Sequence, residues 1–428
     1  MSETVRVVSF PTLSRRFSPR HDLPMMVGAV RHVAVFGASG HTGRFVVAEL
    51  LRRGYVPLLV GRDQDKLSAL ARTRPGLEAR QASVADPGSL DRALTGAAAV
   101  INCAGPFATT AAPVIEAALR AGIPYVDVAA EIEANADTFA RFADRARAAG
   151  TLVVPAMAFF GGLGDLLVTA AMGDWTTAGE AHIAYGLSSW HPTAGTVVAG
   201  TVSGKRRAGR RVRYTGGRLE YHDDALPRLD WDFPAPLGPS SVLAGFTMAD
   251  VVTVPSHLAI PEVRTYMTAV AAADLAAAAD LAAAADLAAG ADLAAGADLA
   301  AGADLAAGAD LAAGADLAAA ATPPVAVDEH GRSAQTFVVD VRVRSGAAER
   351  RVTAAGQDIY AISAPLAVEA ADRILTGRAR ATGVASAGAA FNAPDFLRAL
   401  SAHLSLDLPR DAPAGPAGRR QGRFAAKV

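Results

Sequence analysis

The sequence predicts an α/β protein in which a doubly wound parallel sheet is followed by a second α+β domain containing a mixed or antiparallel sheet. From residue 32 onward, the short apolar runs "HVAVF", "VPLLV", "EARQASV", "AAVINCAG", "PYVDVA" and "TLVVPA" alternate with segments of helical periodicity. Strands that are apolar almost throughout, alternating with amphipathic helices, belong to a sheet covered on both faces. Glycines punctuate the first strand-to-helix turn, and beyond residue 160 the pattern changes to longer alternating runs separated by Gly, Pro and charged turns. That second pattern is the one antiparallel strands produce.

Taken in order, residues 1–31 carry Arg6, Arg15, Arg16 and Arg20 but no apolar run of signal-peptide length, and Met25 and Met26 stand shortly before the first strand. They read as an upstream start or a disordered leader. Residues 32–160 read as the first domain. In "RFVVAELLRRG" the residues Val46, Val47, Leu50 and Leu51 recur on one face and Gly54 supplies the stop. Right-handed crossovers then arrange about six parallel strands. Residues 161–360 read as the second domain, with strands in "EAHIAYGL", "RVRYTGGRLEYH" and "EVRTYMT" and a hairpin in "TFVVDVRVRSGAAERRVTAAG" around its Ser-Gly turn. The segment "SAPLAVEAADRILTG", residues 363–377, has an N-terminal Ser, helical spacing and a closing Gly, and residues 361–408 are expected to pack back on the first domain. Residues 409–428 are rich in Pro, Gly and Arg without apolar period and read as a disordered tail.

Residues 273–320 repeat "ADLAAA" or "ADLAAG" eight times, with an aspartate in each copy. Six residues at about 100° each turn a helix by roughly 240°, so successive leucines fall on different stripes and no single apolar face forms. Five glycines and the interior aspartates oppose the helical preference of alanine. The expectation is a solvent-projecting helical or fluctuating arm, the alternative an oligomerisation or calcium-binding element. The spacing excludes an EF-hand, whose loop needs an oxygen ligand every second residue.

Composition excludes several classes. The chain has 428 residues, 51% hydrophobic and 19% charged, as expected of a protein with a large core. Its formal charge of -1 includes eight repeat aspartates; without them 41 basic residues face 34 acidic ones, a balance of +7. The single cysteine, Cys103, precludes an internal disulfide, and with nine dispersed histidines no metal site is expected. No run approaches the length of a membrane span. A cytoplasmic protein that binds no nucleic acid is the expectation.

The spacing Gly37, Gly40, Gly43 follows a strand directly and opens a helix. A β-carbon at the first position would obstruct the turn, at the second would hold a pyrophosphate off the backbone, and at the third would push the helix from the sheet. Exposed amides and the helix dipole then bind an anion, and Ser39 and Thr42 add hydroxyl donors. In this β-α-β setting the motif predicts a Rossmann domain. At the end of the second strand "LLVGRDQDKL" places Arg62, whose guanidinium suits a 2'-phosphate, so NADP is favoured over NAD; Asp63 reads as a helix N-cap. In "VINCAGPF" the residues Cys103, Ala104 and Gly105 form a thin wall for a nicotinamide, with Cys103 read as a small packing residue rather than a nucleophile.

Together, "VFGASGHTG", "VGRDQDKL", "VINCAGPF", "AGIPYVDVAAE" and "GQDIYAISAPLAVEAADRIL" resemble the saccharopine dehydrogenase-like family of NAD(P)-binding oxidoreductases, which includes trans-acting enoyl reductases. The resemblance covers roughly residues 32–270 and 325–400. It implies a Rossmann domain, a second α+β domain that completes the cleft, and a chain that returns to the first domain. Where relatives show Tyr-x-Asp-x-x-Gly-Glu, this chain has Tyr125, Asp127 and Glu131 with Ala130 in place of glycine.

Hydride transfer also needs a proton source. The candidates are Asp127, with Glu131 beyond it, and His191 in "SSWHPTAGT". The plainer readings are that Asp127 caps a turn, Glu131 is solvated and His191 is a packed loop residue. The basic stretch "GKRRAGRRVRY" could steer an anionic acyl carrier or form a solvated hairpin. These residues lead to an NADP-dependent oxidoreductase acting on a C=C, C=N or C=O bond of a small or acyl-linked substrate, with a homodimer as an open alternative. The rival reading is a non-catalytic NADP-binding regulator, since no tyrosine-lysine pair is evident.

Overall fold

The computed structural model describes residues 31–296 and 324–408. The expected leader up to residue 30, the repeats beyond residue 296 and the expected tail lie outside the described residues. In the first part of the chain β1 (His32–Phe36), α1 (His41–Arg52), β2 (Val56–Gly61), α2 (Gln64–Thr73), β3 (Glu78–Gln81), α3 (Pro87–Leu94), β4 (Ala99–Asn102), α4 (Phe107–Ala121), β5 (Tyr125–Asp127), α5 (Ile132–Ala148) and β6 (Leu152–Val154) alternate. An irregular turn at Phe159–Leu163 leads into α6 (Gly164–Met172). There follow β7 (Glu180–Leu187), α7 (Ala194–Arg206), β8 (Arg211–Thr215), β9 (Arg218–His222), β10 (Arg228–Asp232), β11 (Pro239–Ala244), α8 (Asp250–Thr253), β12 (Glu262–Thr268) and α9 (Ala269–Gly296). After the undescribed segment come β13 (Thr336–Ser345), β14 (Ala348–Gln357), α10 (Ile359–Leu375), β15 (Gly383–Val384), α11 (Ala387–Ala390), α12 (Ala393–Ala399) and β16 (Ser405–Asp407).

The first sheet has the order β15-β6-β5-β4-β1-β2-β3, all parallel, with helices on both faces. All six expected strands are present. The seventh, β15, comes from the returning chain and pairs with β6 through Gly383 and Val384; a two-residue strand carries no periodic signal in the sequence. α1 buries Val46, Val47 and Leu50 against the sheet, and Asp63 caps α2 by accepting the Lys66 N–H at 3.0 Å.

The second sheet is mixed. Its path runs β10-β11-β12-β7-β13-β14-β16, with the β8–β9 hairpin attached to β12. Only the β12–β7 contact is parallel among these described pairs. The expected hairpin is β13–β14, in register from Thr336–Gln357 to Ser345–Ala348. Phe337, Val339, Val341 and Val343 join the main core that runs between the two sheets and includes α6 and α10.

Two elements differ from the sequence reading. α10 starts four residues before Ser363, because Asp358, at φ 60°, accepts the N–H groups of Tyr360 and Ala361 at 2.9 and 3.0 Å. A carboxylate taking two orphan donors makes a stronger cap than a serine hydroxyl, and the Ser363 hydroxyl instead donates to Ile359 O inside the helix. The first repeats do not project freely into solvent. α9 runs through Gly296, Ala278 and Ala282 are buried against Val197 and Val198 of α7, and Asp274 accepts the Trp190 N–H at 2.8 Å. The leucines share no stripe, but Ala278 and Ala282 lie one turn apart, and their small side chains allow close approach.

α10 lies along α1, and charged side chains fasten the pair. Glu369 accepts from Arg53 and, at 2.6 Å, from Arg373; Arg373 also reaches Asp395 at 2.7 Å, and Tyr55 donates to Asp372 at 2.5 Å. Among the described residues no helix is long and apolar enough to cross a membrane. Arg373 is 1% exposed, so Glu369→Ala strands a buried guanidinium. The variant is expected to lose about 3–5 kcal/mol of unfolding free energy in a urea titration, whereas Asp395→Ala, at the exposed end of the network, should lose much less.

Candidate functional site

Strand order reverses between β1 and β4, so the loops leaving the carboxyl ends of β1, β2, β4 and β5 border one crevice. Backbone approach sets its shape. Gly37 has φ 87°, and a β-carbon there would stand 2.9 Å from Ala104 N. A β-carbon on Gly43 would overlap Gly37 O at 2.2 Å, and one on Gly40 would come within 3.2 Å of the same oxygen. Gly40 is the N-cap of α1, and no side chain caps that end. The first-turn amides are therefore free of side-chain cover, with Ser39 and Thr42 half-buried beside them. This is the cradle a diphosphate requires. Arg44, which the sequence reading did not single out, donates from Nε to Ser39 O at 3.0 Å and brings a cation to the same turn.

Arg62 is exposed directly after β2. Its carbonyl accepts from Gln81 at 2.9 Å, and among the described residues nothing pairs with its guanidinium. At the end of β4, Cys103 N donates to Phe36 O at 2.8 Å, and Ala104 N donates to Asn102 Oδ1 at 3.0 Å. Burial, and then the charge of Asp127, pushes the Cys103 thiol up, away from the nucleophilic thiolate form. Gly105 precedes a cis Pro106 and faces α7: a β-carbon on it would stand 3.9 Å from both Gly195 O and the Ala199 side chain.

Asp127, 1% exposed, caps the turn after β5 by accepting from Ala129 N at 3.0 Å. The same oxygen accepts from Ala156 N at 2.8 Å, while its other oxygen takes the Tyr125 hydroxyl proton at 2.8 Å. Ala156 has φ 56°, a conformation an alanine adopts only when held, and Asp127 is one of the groups holding it. Glu131 is buried rather than solvated. It accepts from Phe107 N and Ala108 N at 2.6 and 3.0 Å and so caps α4 from a distance in sequence that no local pattern reveals. Ala130 is not among the residues with positive φ, so the turn accommodates its β-carbon.

His191 is exposed on the strap leading into α7. The Thr193 hydroxyl pairs with Thr196 at 2.9 Å, and beside them the Tyr360 hydroxyl receives Trp190 Nε1–H at 3.2 Å and Thr193 N–H at 3.1 Å and lies 2.9 Å from Thr196 Oγ1. Tyr360 also packs edge-on against His41, with ring centroids 5.2 Å apart. The quoted "GQDIYAISAPLAVEAADRIL" contained Tyr360, but no spacing pointed from residue 360 to residues 41 or 190. The arginines of the basic stretch are largely paired, Arg206 with Asp137, Arg207 with Glu133, and Arg213 with Glu220 and Asp224. Among the described residues no group of three or more His, Cys, Asp or Glu side chains is placed to hold a metal ion.

This fold and turn define a dinucleotide-binding Rossmann domain joined to a mixed-sheet α+β domain. Residues 33–154 match the family described as the saccharopine dehydrogenase NADP binding domain. The match supports a nicotinamide dinucleotide as the ligand of the turn. The chain is 33% identical over 145 residues to the Arabidopsis thaliana protein named "Probable mitochondrial saccharopine dehydrogenase-like oxidoreductase", an alignment covering 30% of this chain and 32% of that protein. It is 35% identical over 118 residues to a human saccharopine dehydrogenase-like oxidoreductase, covering 23% and 28% respectively. These matches thus span about a third or less of the relatives' length. The structure of apo saccharopine dehydrogenase (L-Glu forming) from Saccharomyces cerevisiae superposes with a TM-score of 0.56 at 13% identity, covering 88% of this chain and 99% of that one, and so shares the fold.

Burial raises the Asp127 carboxyl to about 6, and burial together with the Asp127 charge raises Glu131 to about 7, although the backbone amides bound to each oppose the rise. The folded chain therefore holds protons that the unfolded chain has released. Their contribution to stability is complete below the ordinary carboxyl range and is lost as pH rises to about 7. In urea unfolding at pH 5 and pH 8, Glu131→Gln is expected to lose less stability across that interval than the wild type, by on the order of 2 kcal/mol. Equal losses would show that Glu131 does not titrate in this window.

Proposed function

We propose that the protein is an NADP-preferring oxidoreductase that moves a hydride between the nicotinamide ring and a C=C, C=N or C=O bond of a small or acyl-linked substrate. The observation that carries the reading is the combination of a glycine cradle without side-chain cover and the unpaired guanidinium of Arg62 after β2. An acid at that strand end would accept from a ribose 2'-hydroxyl, whereas a guanidinium pairs with a 2'-phosphate. The competing acid, Asp63, is already occupied as the cap of α2.

When bound, the cofactor supplies the hydride donor or acceptor. The chain's own residues hold and orient. The uncapped first-turn amides of α1, from His41 to Gly43, grip the diphosphate, Arg62 takes the 2'-phosphate, and the wall of Cys103, Ala104 and Gly105 supports the ring. Asp127 holds the loops after β5 and β6 in place through Ala129 and Ala156. Two side chains are assigned to the proton: His191, exposed on the strap, and Asp127, whose raised pKa of about 6 brings it towards the working range of a general acid or base.

One observation favours the regulator as a second reading. Both oxygens of Asp127 are committed to protein donors, and Tyr125 bonds to Asn102 and Asp127 rather than to a lysine. Oxidation of NADPH across a panel of enoyl, imine and keto substrates separates the two, since a regulator binds without turnover.

Arg62→Ala is expected to weaken NADPH binding by about 10- to 100-fold and NADH binding by less than about threefold. Equal losses in fluorescence titration would remove Arg62 from the phosphate pocket. In turnover, His191→Ala should lower kcat by about 100-fold without changing the NADPH Kd. Asp127→Asn should lower both rate and Tm, because it replaces an acceptor of three protons with a group that also donates. Unchanged rates in both variants would assign the proton to water or to the substrate.

A further inference from the structure

α7 lies against the loop that leaves β4 and against the start of α5, which follows β5, and residues 188–193 lead into it. One face of α7 carries the small residues Gly195, Ala199 and Ser203, spaced four apart. Gly195 and Ala199 stand against Gly105, and the Ser203 hydroxyl donates to Glu133 in the first turn of α5. Another face carries Val197 and Val198, which pack with Ala278 and Ala282 of α9. α7 is thus held between the crevice loops and the start of the repeat.

The start of the strap before α7 is fixed to β13 by Ser188 and Thr336 and by Gln335, which donates to Ser189 O at 2.5 Å, and its end, from Trp190 onward, is tied down by Tyr360 and Asp274. A phenol oxygen has two lone pairs and one proton. Trp190 Nε1–H and Thr193 N–H fill the lone pairs of Tyr360, so its proton goes to Thr196 Oγ1 at 2.9 Å and the hydroxyl is saturated. From the other side Asp274 accepts the backbone N–H of Trp190, whose ring is 2% exposed and packs on Phe160 with centroids 5.2 Å apart. The Tyr360 ring in turn stands against His41, the first residue of α1 after the glycine cradle.

We propose that residues 188–206 form a roof over the nicotinamide half of the crevice, with Tyr360 and Asp274 as the positioning residues that hold it down. The proposal rests on the reading of the glycine turn as a dinucleotide site. The roof sits at the carboxyl ends of β4 and β5, where a ring extending from a diphosphate at β1 must lie. Its small-residue face allows close approach to Gly105, and the Tyr360 hydroxyl joins Trp190, Thr193 and Thr196 in one hydrogen-bonded cluster at the end of the strap. The repeat thereby acquires a task in its first copies: Asp274 is its first aspartate, and Ala278 and Ala282 make α9 a strut behind α7.

The test uses the full chain and two ligands, NADPH and 2'-phospho-ADP-ribose, which shares every group of NADPH except the nicotinamide. Affinity is measured by calorimetry, and ring enclosure by the fluorescence gain of bound NADPH. Tyr360→Phe keeps the ring against His41 but leaves two N–H donors without an acceptor. It is expected to raise the NADPH Kd by about tenfold, leave the Kd of 2'-phospho-ADP-ribose within about twofold, and at least halve the fluorescence gain. Asp274→Ala, which acts through a different element, should shift the same readouts in the same direction by about threefold. Wild-type NADPH affinity and fluorescence in both variants would overturn the roof while leaving the cofactor reading intact. Equal weakening of both ligands would also overturn it, since Tyr360 would then shape the glycine turn alone. Failure of the wild-type chain to bind either ligand would overturn the dinucleotide reading, and the roof with it.

Discussion

The carbonyl oxygen of Gly37 lies so close to the Cα of Gly43 that no β-carbon fits between them. This backbone contact sets how deeply α1 sinks into the turn after β1. The position of α1 fixes the direction of its uncapped amides, and α1 is also the surface on which α10 lies. Gly37 meets the β4 loop in the same place, beside Ala104 and Cys103. Two crossovers of the sheet therefore converge on one small volume in which backbone does the work of side chains. The grip on an anion and the packing of the domain are the same contact.

Around it the fold concentrates charge that water does not neutralise. Glu369 and Arg373 are nearly inaccessible on α10 and are reached by Arg53 from α1 and Asp395 from α12. Such a network adds little net stability over an apolar contact of the same shape, but it permits few alternative registers. The carboxylates near the crevice serve a different purpose. Asp127 and Glu131 satisfy backbone amides in loops that must turn sharply at the sheet edge, at the cost of ionised forms that burial disfavours. Deeper in the core, Asp250 receives the Tyr185 hydroxyl and is likewise raised by burial, to about 7. Acceptors are placed where irregular backbone has donors to spare.

The parts of the fold that could be read from the sequence were those specified locally. β1 through β6 announced themselves by apolar runs, α2 by the acid in front of it, and the β13–β14 hairpin by alternation around Ser345 and Gly346. The glycine spacing and Arg62 were equally visible, because each depends on a few consecutive residues. Tyr360, Arg44 and Asp274 were not. Tyr360 matters because a helix that begins more than 300 residues after α1 comes to rest on it, and Asp274 looks like any other repeat aspartate until Trp190 is placed beside it. Ser363 misled for a related reason: the better cap, Asp358, occupies a left-handed conformation that its sequence neighbours do not advertise.

By itself, the sequence determined the alternation of strands and helices, the glycine cradle and the basic residue at the end of β2. These follow from short-range periodicity, from the absence of β-carbons, and from the chemistry of one guanidinium. Tertiary structure alone decided that β15 extends the first sheet, that Glu131 caps a helix beginning 24 positions before it, and that the 188–193 strap is pinned between Tyr360 and the first repeat. The physical reason is sequence separation. A hydrogen bond between distant residues leaves no periodic trace, and its partner is chosen only when the packed core brings a donor and an acceptor within about 3 Å of each other.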